Sequence, residues 1–253
     1  MGQGAAVLLV KPGHLAAGLL FLLCASPAVA GVDAAEHDAF WLWSGVQAQP
    51  VLKQARTLYL LQGQVSVRRG QRRVELIAQG AGVSRLPQPE LWVVYRAHTL
   101  RWPETIYEKV LGQVGRWQAA GNAVVGIQID FDARTRYLSE YVAFLKDLRQ
   151  RLPVRYKLSI TGLMDWSSNA DPNAIAQLKG VVDEVVVQTY QGRQSIPDYG
   201  AYLPRLPRLG LPFKVGLVQG GQWKALDALE RSPWFRGYVV FLQNGPGFSQ
   251  PGR

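Results

Sequence analysis

Cysteine is almost absent from these 253 residues, and the single one, Cys24, falls in an N-terminal leader. A chain processed after that leader has no thiol chemistry, no disulfide and no cysteine metal site. Histidine is sparse too, at three residues with no HxH or HExxH spacing, so neither a zinc site nor any other metal or cofactor is expected. Acid is short relative to base: 18 Asp and Glu stand against 28 Lys and Arg, a formal net charge of +10. That excess favours anionic partners such as phospholipid surfaces or acidic glycans. The basic residues are dispersed, apart from Arg68-Arg69-Gly70-Gln71-Arg72-Arg73, which reads as the top of a solvated hairpin with Gly70 in its turn. No nucleic-acid motif accompanies them, so a nucleic-acid partner is not expected.

The leader has the parts of a secretory signal. Lys11 supplies a positive n-region, Leu15 to Leu23 an apolar run, and Ala28-Val29-Ala30 a small-residue cleavage site. The apolar run is too short to span a bilayer, which takes about 20 residues. Cleavage after Ala30 and a periplasmic or secreted destination are expected. A lipoprotein signal is disfavoured by the bulky Leu23 before Cys24. No later segment is long and apolar enough to cross a membrane. The remaining chain, about 220 residues, can bury one large core and reads as a single domain over 31–253.

Short apolar runs then alternate with helical segments. Eight candidate strands are Phe40–Val46, Thr57–Gln62, Leu91–Arg96, Val124–Asp132, Tyr156–Gly162, Asp183–Tyr190, Phe213–Gln219 and Gly237–Asn244. Helices are predicted over Pro103–Ala119, with proline in the first turn, and over Thr135–Arg151, where Leu138, Tyr141, Val142, Leu145 and Leu148 keep helical spacing up to Pro153. Shorter helices fit Pro172–Lys179, Pro197–Leu203 and Trp223–Arg231. The alternation predicts a parallel sheet, and eight strands predict a closed (β/α)8 TIM-like barrel. Val65–Ile77 reads as a β-hairpin in place of the second helix, and the Pro- and Gly-rich tail leaves no room for a final helix. An open doubly wound sheet is the alternative.

The segment Val124–Asp132, VVGIQIDFD, carries the most chemical information. Strand alternation puts Gln128, Asp130 and Asp132 on one face and Ile127, Ile129 and Phe131 on the other. A carboxylate in an apolar run is costly unless paired, hydrogen-bonded or used in chemistry. In a barrel, chemistry gathers at the C-terminal strand ends. Those ends offer Trp41, Trp43 and Ser44, then Gln62, then Arg96 and His98, then Gln128, Asp130 and Asp132. Thr161, Asp165 and Trp166 follow, then Gln188 and Tyr190, Gln219, and Gln243 with Asn244. Amides, acids and rings together suit a carbohydrate, an amino-sugar or an anionic polysaccharide: the polar groups bond hydroxyls and the rings cover C–H faces.

VVGIQIDFD is similar to the strand-four signature DGxDxDxE of the chitinase-like barrels, glycoside hydrolase family 18. Gly126 matches the glycine and Asp130 the second acid of D-x-D-x-E; Gln128 replaces the first acid, and Asp132 stands for the catalytic Glu. QTY, with Tyr190, resembles that family's tyrosine-bearing strand. FWLWSGV, GIQIDFDA, LSITGLMDW and the terminal strands together resemble an uncharacterised bacterial family of secreted barrels, domain of unknown function 3142, which implies no particular activity. The chitinase resemblance implies a substrate-assisted cleavage: Asp132 protonates the leaving oxygen, Asp130 orients the acetamido group and Tyr190 bonds its oxygen.

Other assignments stay open at this point. Asp132 with Asp165 would form a conventional two-carboxylate site, retaining at a separation of roughly 5–5.5 Å and inverting at roughly 6.5–9.5 Å. Asp132 could instead cap the helix beginning near Thr135, and Asp130 could be a structural acid held by Arg96. Trp41, Trp43, Trp166 and Tyr190 could pack in the core, and His98 could be a surface residue. A DxD pair holding a metal for nucleotide-sugar transfer fits an exported chain poorly. The leading function is an exported glycoside hydrolase-like protein acting on an envelope or extracellular polysaccharide through Asp132 assisted by Asp130. The alternatives are a non-catalytic glycan-binding barrel and an envelope assembly or scaffold protein.

Overall fold

Strands rich in Val, Ile, Leu and aromatic residues on both faces need cover on both sides, and here a closed barrel supplies it. The computed structural model describes residues 30–68, 70, 73–86 and 89–244. The barrel strands are β1 (Ala39–Leu42), β2 (Thr57–Val67), β3 (Glu90–Ala97), β4 (Ala123–Asp130), β5 (Lys157–Leu163), β6 (Glu184–Gln188), β7 (Phe213–Val218) and β8 (Phe235–Phe241). Each pairs in parallel with its chain neighbours, and β8 pairs with β1, Val240 opposite Phe40, to close the ring. The barrel expectation is met, and that closing pair rules out the open doubly wound sheet. The expected leader and the expected helix-free tail fall on residues 1–29 and 245–253, which lie outside the described residues.

Two full helices cover part of the outside. Helix α1 (Glu104–Ala119) buries Ile106, Tyr107, Val110, Val114 and Trp117 on one stripe. Pro103 stands at its N-cap rather than in its first turn. Helix α2 (Leu138–Arg151) buries the Leu138, Tyr141, Val142, Leu145 and Leu148 set, after a 3-10 turn at Thr135–Tyr137. Elsewhere the connections shrink to short turns: Pro50–Gln54 follows β1, and Trp166–Asn169 and Pro172–Ala176 follow β5. After β2 the predicted hairpin takes a modified form. Strand β2 itself runs on to Val67, and Val74–Ala78 pairs back on it, with Val67 opposite Val74. Gly70 in the turn has φ +78°, a left-handed value open to glycine.

The core has two layers. Outward side chains of the strands, such as Leu58, Leu60, Val93, Ile127 and Ile160, pack with the helices. A second cluster of Ala39, Trp41, Tyr59, Leu61, Trp92, Val94, Val186 and Val239 fills the barrel itself. Gly216 makes room for it, because a Cβ there would meet the Trp41 ring at 2.6 Å. At Gly126 a Cβ would fall 1.9 Å from the Lys157 carbonyl oxygen, so β4 and β5 can approach only with glycine at that position. Backbone cannot swing aside as a side chain can. Gly126→Ala is therefore expected to cost about 1–3 kcal/mol or to prevent folding, read as a lower midpoint in urea unfolding; an unchanged midpoint would contradict this packing.

Candidate functional site

Alternation along β4 sends Ile127 and Ile129 outward and turns Gln128 and Asp130 into the barrel. Gln128 is fully buried there. It accepts a hydrogen bond from Trp41 Nε1 at 2.6 Å and donates one to Ser159 Oγ at 2.9 Å. Ser159 in turn donates to Glu184 Oε1 at 3.0 Å, and Tyr59 OH donates to the same oxygen at 2.6 Å. Lys214 Nζ pairs with Glu184 Oε2 at 3.2 Å and donates to Tyr59 OH at 3.0 Å. A column of donors thus converges on one buried carboxylate, which satisfies a charge that would otherwise be costly inside a barrel. Gln128 belongs to this column, which corrects its expected role as a sugar ligand. Glu184, Lys214 and Ser159 were missed as a set, although Glu184, Val186 and Gln188 alternate visibly within the strand.

At the upper end of the column lies the mouth. Asp130 ends β4 at 2 % exposure. Its Oδ2 accepts from Arg96 Nε at 2.8 Å and its Oδ1 from Thr161 Oγ1 at 3.2 Å. Burial pushes this carboxyl above its ordinary pKa, Arg96 pulls it back down, and the nearby charge of Asp132 pushes it up again. Arg96 lies opposite Asp130 in the sheet register, and its guanidinium carbon sits 4.2 Å from the Trp43 ring centroid. Trp43 meets Phe241 edge-on at 5.4 Å, Phe241 stacks on Tyr190 at 5.5 Å, and Tyr190 meets Trp41 at 6.4 Å. Trp43 Nε1 is buried with no acceptor among the described residues. Burial raises the Tyr190 hydroxyl well above its ordinary pKa, with Asp130 adding to the rise.

Asp132 stands two residues past the strand end and is exposed. The 3-10 turn that follows is preceded by Arg134, and α2 by Tyr137, so Asp132 caps neither. The structure therefore brings together Asp130, Arg96, Trp43 and Tyr190, with Asp132 at the open edge.

Other candidates sit differently. Trp166 is 2 % exposed, faces Tyr141 and donates Nε1 to the Ala133 carbonyl. It is a core residue, which corrects its placement as a sugar platform. Asp165 is half-buried at the start of the short helix after β5, its carboxyl raised by burial and its Oδ1 without a partner among the described residues. Gln188 is half-buried at the end of β6. Gln219 and Gln243 bond within the protein: Gln219 exchanges hydrogen bonds with Gln49, and Gln243 accepts from Arg193 Nε and donates its backbone N–H to Gln219 Oε1. They lace the rim loops together, and both stay half-buried. Gln62 faces α1, where its oxygen accepts from Gln113 and Trp117. His98 is exposed.

The fold has parallels among known proteins. Residues 89–206 match the family model described as Domain of unknown function (DUF3142). It is the family that the strand motifs resembled, and its match spans β3 to β6. No curated protein matches the chain. Among solved structures, the tamarind chitinase-like lectin is similar over 81 % of this chain and 94 % of its own, at 12 % identity and a TM-score of 0.50. The Bacillus cereus spore cortex-lytic enzyme SleL is 17 % identical with a TM-score of 0.46, covering 71 % of this chain and 49 % of that one. The chitinase domain of the Clostridium difficile spore coat protein CotE is 14 % identical with a TM-score of 0.45, over 76 % and 69 % of the two chains. The chain thus spans about half the length of the cortex-lytic enzyme. At such identities the likeness concerns the fold alone: a TIM-like barrel.

The opposite end of the barrel holds a wide cleft of about 610 Å³, lined among others by Lys53, Arg56, Glu90, Lys214 and Arg236. It lies at the N-terminal strand ends, the face that usually serves stability rather than chemistry. Among the described residues, no group of three or more His, Cys, Asp or Glu is placed to hold a metal ion, and no helix is long and apolar enough to cross a membrane.

The burial of Asp130 fixes a pH trend. With its folded pKa raised, the native state holds that proton more tightly than the unfolded chain, so stability falls as pH rises from the ordinary carboxylate value through the folded one. Urea unfolding across that window should show wild type losing stability relative to Asp130→Asn as pH rises; the opposite slope would contradict the assignment. Trp166→Ala should cost about 3–5 kcal/mol as a large core deletion; unaltered thermal unfolding would return Trp166 to the surface.

Proposed function

We propose that the chain is an exported, glycoside hydrolase-like protein that acts on an envelope or extracellular polysaccharide at the C-terminal mouth of the barrel. The observation that carries this reading is an exposed acid, Asp132, two residues beyond a buried and clamped one, Asp130, at a strand end where Trp43, Phe241 and Tyr190 pack on one another. An aromatic wall gives a sugar ring a C–H face to rest on, and the acid gives its glycosidic oxygen a proton donor. In the cleavage step the proton of Asp132 passes to the leaving oxygen as the bond from that oxygen to the anomeric carbon breaks. The acetamido oxygen of an N-acetylated sugar forms the new bond to that carbon. Water then opens this intermediate and a proton returns to Asp132. Asp130, tied to Arg96 and Thr161, serves as a positioning residue that fixes the end of β4. Export follows from the leader, and the net positive charge suits a matrix with negative groups.

A second reading is carried by the ion pair. Arg96 offsets the charge of Asp130, and Gln128 lies in the barrel column, so one carboxylate remains open at the mouth. Such a site can bind a glycan without cutting it.

The two readings part in one assay. The mature protein is incubated with chitin oligomers, peptidoglycan and deacetylated glucosamine polymers, and new reducing ends are measured. The proposal expects release by wild type and a drop of about 10²–10⁴-fold in Asp132→Asn. Saccharide binding without release would replace it by the binding reading. Neither binding nor release would sink both and leave an assembly or scaffold role.

A further inference from the structure

The Arg96 side chain is held on two sides at the mouth. Its Nε is spent on Asp130, and its guanidinium is laid against the Trp43 ring. Asp130 is itself locked by Thr161, whose hydroxyl also accepts the backbone N–H of Phe131. An arginine held on two sides has lost most of its rotamer freedom before any ligand arrives, so less entropy remains to be lost per bond it makes. Its two Nη groups have no hydrogen-bond partner among the described residues, while 31 % of the side chain stays open to solvent. Through Trp43, which meets Phe241 edge-on, the guanidinium borders the aromatic wall.

A guanidinium presented this way matches the two oxygens of a carboxylate, and planar, paired recognition is what distinguishes arginine from lysine. A neutral sugar would leave those donors to water. Resting on the reading that this mouth takes a saccharide, we propose that the saccharide carries a carboxylate and that Arg96 is the residue that selects it. The carboxylate can belong to a uronic acid ring or to an acidic ether arm on a hexosamine; the chemistry seen by Arg96 is the same. Asp130 is then the group that aims the arginine, which gives the buried acid a purpose apart from proton transfer. The overall positive charge adds long-range attraction for an acidic chain, and that attraction weakens with salt.

The test varies the ligand first, so that it does not depend on a variant folding. Binding of the mature protein is titrated with oligogalacturonate, with the same oligomer after reduction of its carboxyls, with glycan strands of peptidoglycan, and with chitin oligomers. At least one carboxylated ligand is expected to bind about tenfold or more tightly than its neutral counterpart, with the preference shrinking as salt is raised. Which acidic ligand wins tells a ring carboxylate from an ether arm. The double variant Arg96→Gln/Asp130→Asn removes both charges together, so no uncompensated buried charge is left, and it is expected to lose the preference while keeping some affinity for the neutral oligomer. Equal binding of acidic and neutral ligands would overturn the inference and leave the saccharide reading standing. No binding of any saccharide would overturn both. A preference that survives in a folded double variant would place the selecting group elsewhere.

Discussion

The ion pair between Arg96 and Asp130 organises the mouth of this barrel. A carboxylate at 2 % exposure is tolerable only with its charge met, and removing Arg96 would leave that charge buried without compensation. Meeting the charge fixes the arginine, the arginine covers Trp43, and through Phe241 and Tyr190 the contacts return to Trp41. Trp41 then donates to Gln128, the top of the column that ends in Glu184 and Lys214. The mouth and the barrel interior are therefore joined by one continuous chain of contacts.

That interior is unusual in holding two ion pairs in a space that elsewhere is filled by Val, Leu and aromatic rings. The two pairs sit at opposite ends. Lys214 and Glu184 serve the N-terminal end, where the broad cleft opens, and Arg96 and Asp130 serve the C-terminal end. Each pair is partly reached by water, which keeps the desolvation cost lower than for a fully enclosed pair. Glycine sets the remaining geometry: Gly216 admits the Trp41 ring and Gly126 lets two strands close up.

Much of the fold was legible because its signal is repeated. Eight apolar runs with intervening helices identify a barrel even when single boundaries are off, and the VVGIQIDFD alternation correctly separated inner from outer residues on β4. The site was legible in part. Asp130, Arg96, Trp43 and Tyr190 do meet, because strand-end position predicts convergence in a closed barrel. Position alone fails where a local irregularity turns a side chain. The register shift between Leu61 and Gly63 leaves Gln62 facing α1, and a short helix after β5 folds Trp166 beneath the surface. Glu184 and Lys214 escaped notice because they lie at the strand starts, where a charge reads as solvent-exposed. Their pairing depends on strands far apart in sequence, which no local pattern encodes.

The central claim, that saccharide is handled at the mouth above the Arg96–Asp130 pair, is tested most directly by nuclear magnetic resonance. Isotope-labelled protein would be titrated with acidic and neutral oligosaccharides, following backbone amides and tryptophan indoles. The account predicts shifts concentrated at Arg96, Asp130 to Asp132 and Tyr190, and at the indole of Trp43, whose buried Nε1 has no acceptor among the described residues. Shifts confined to the opposite cleft, around Arg56, Lys214 and Arg236, would contradict it.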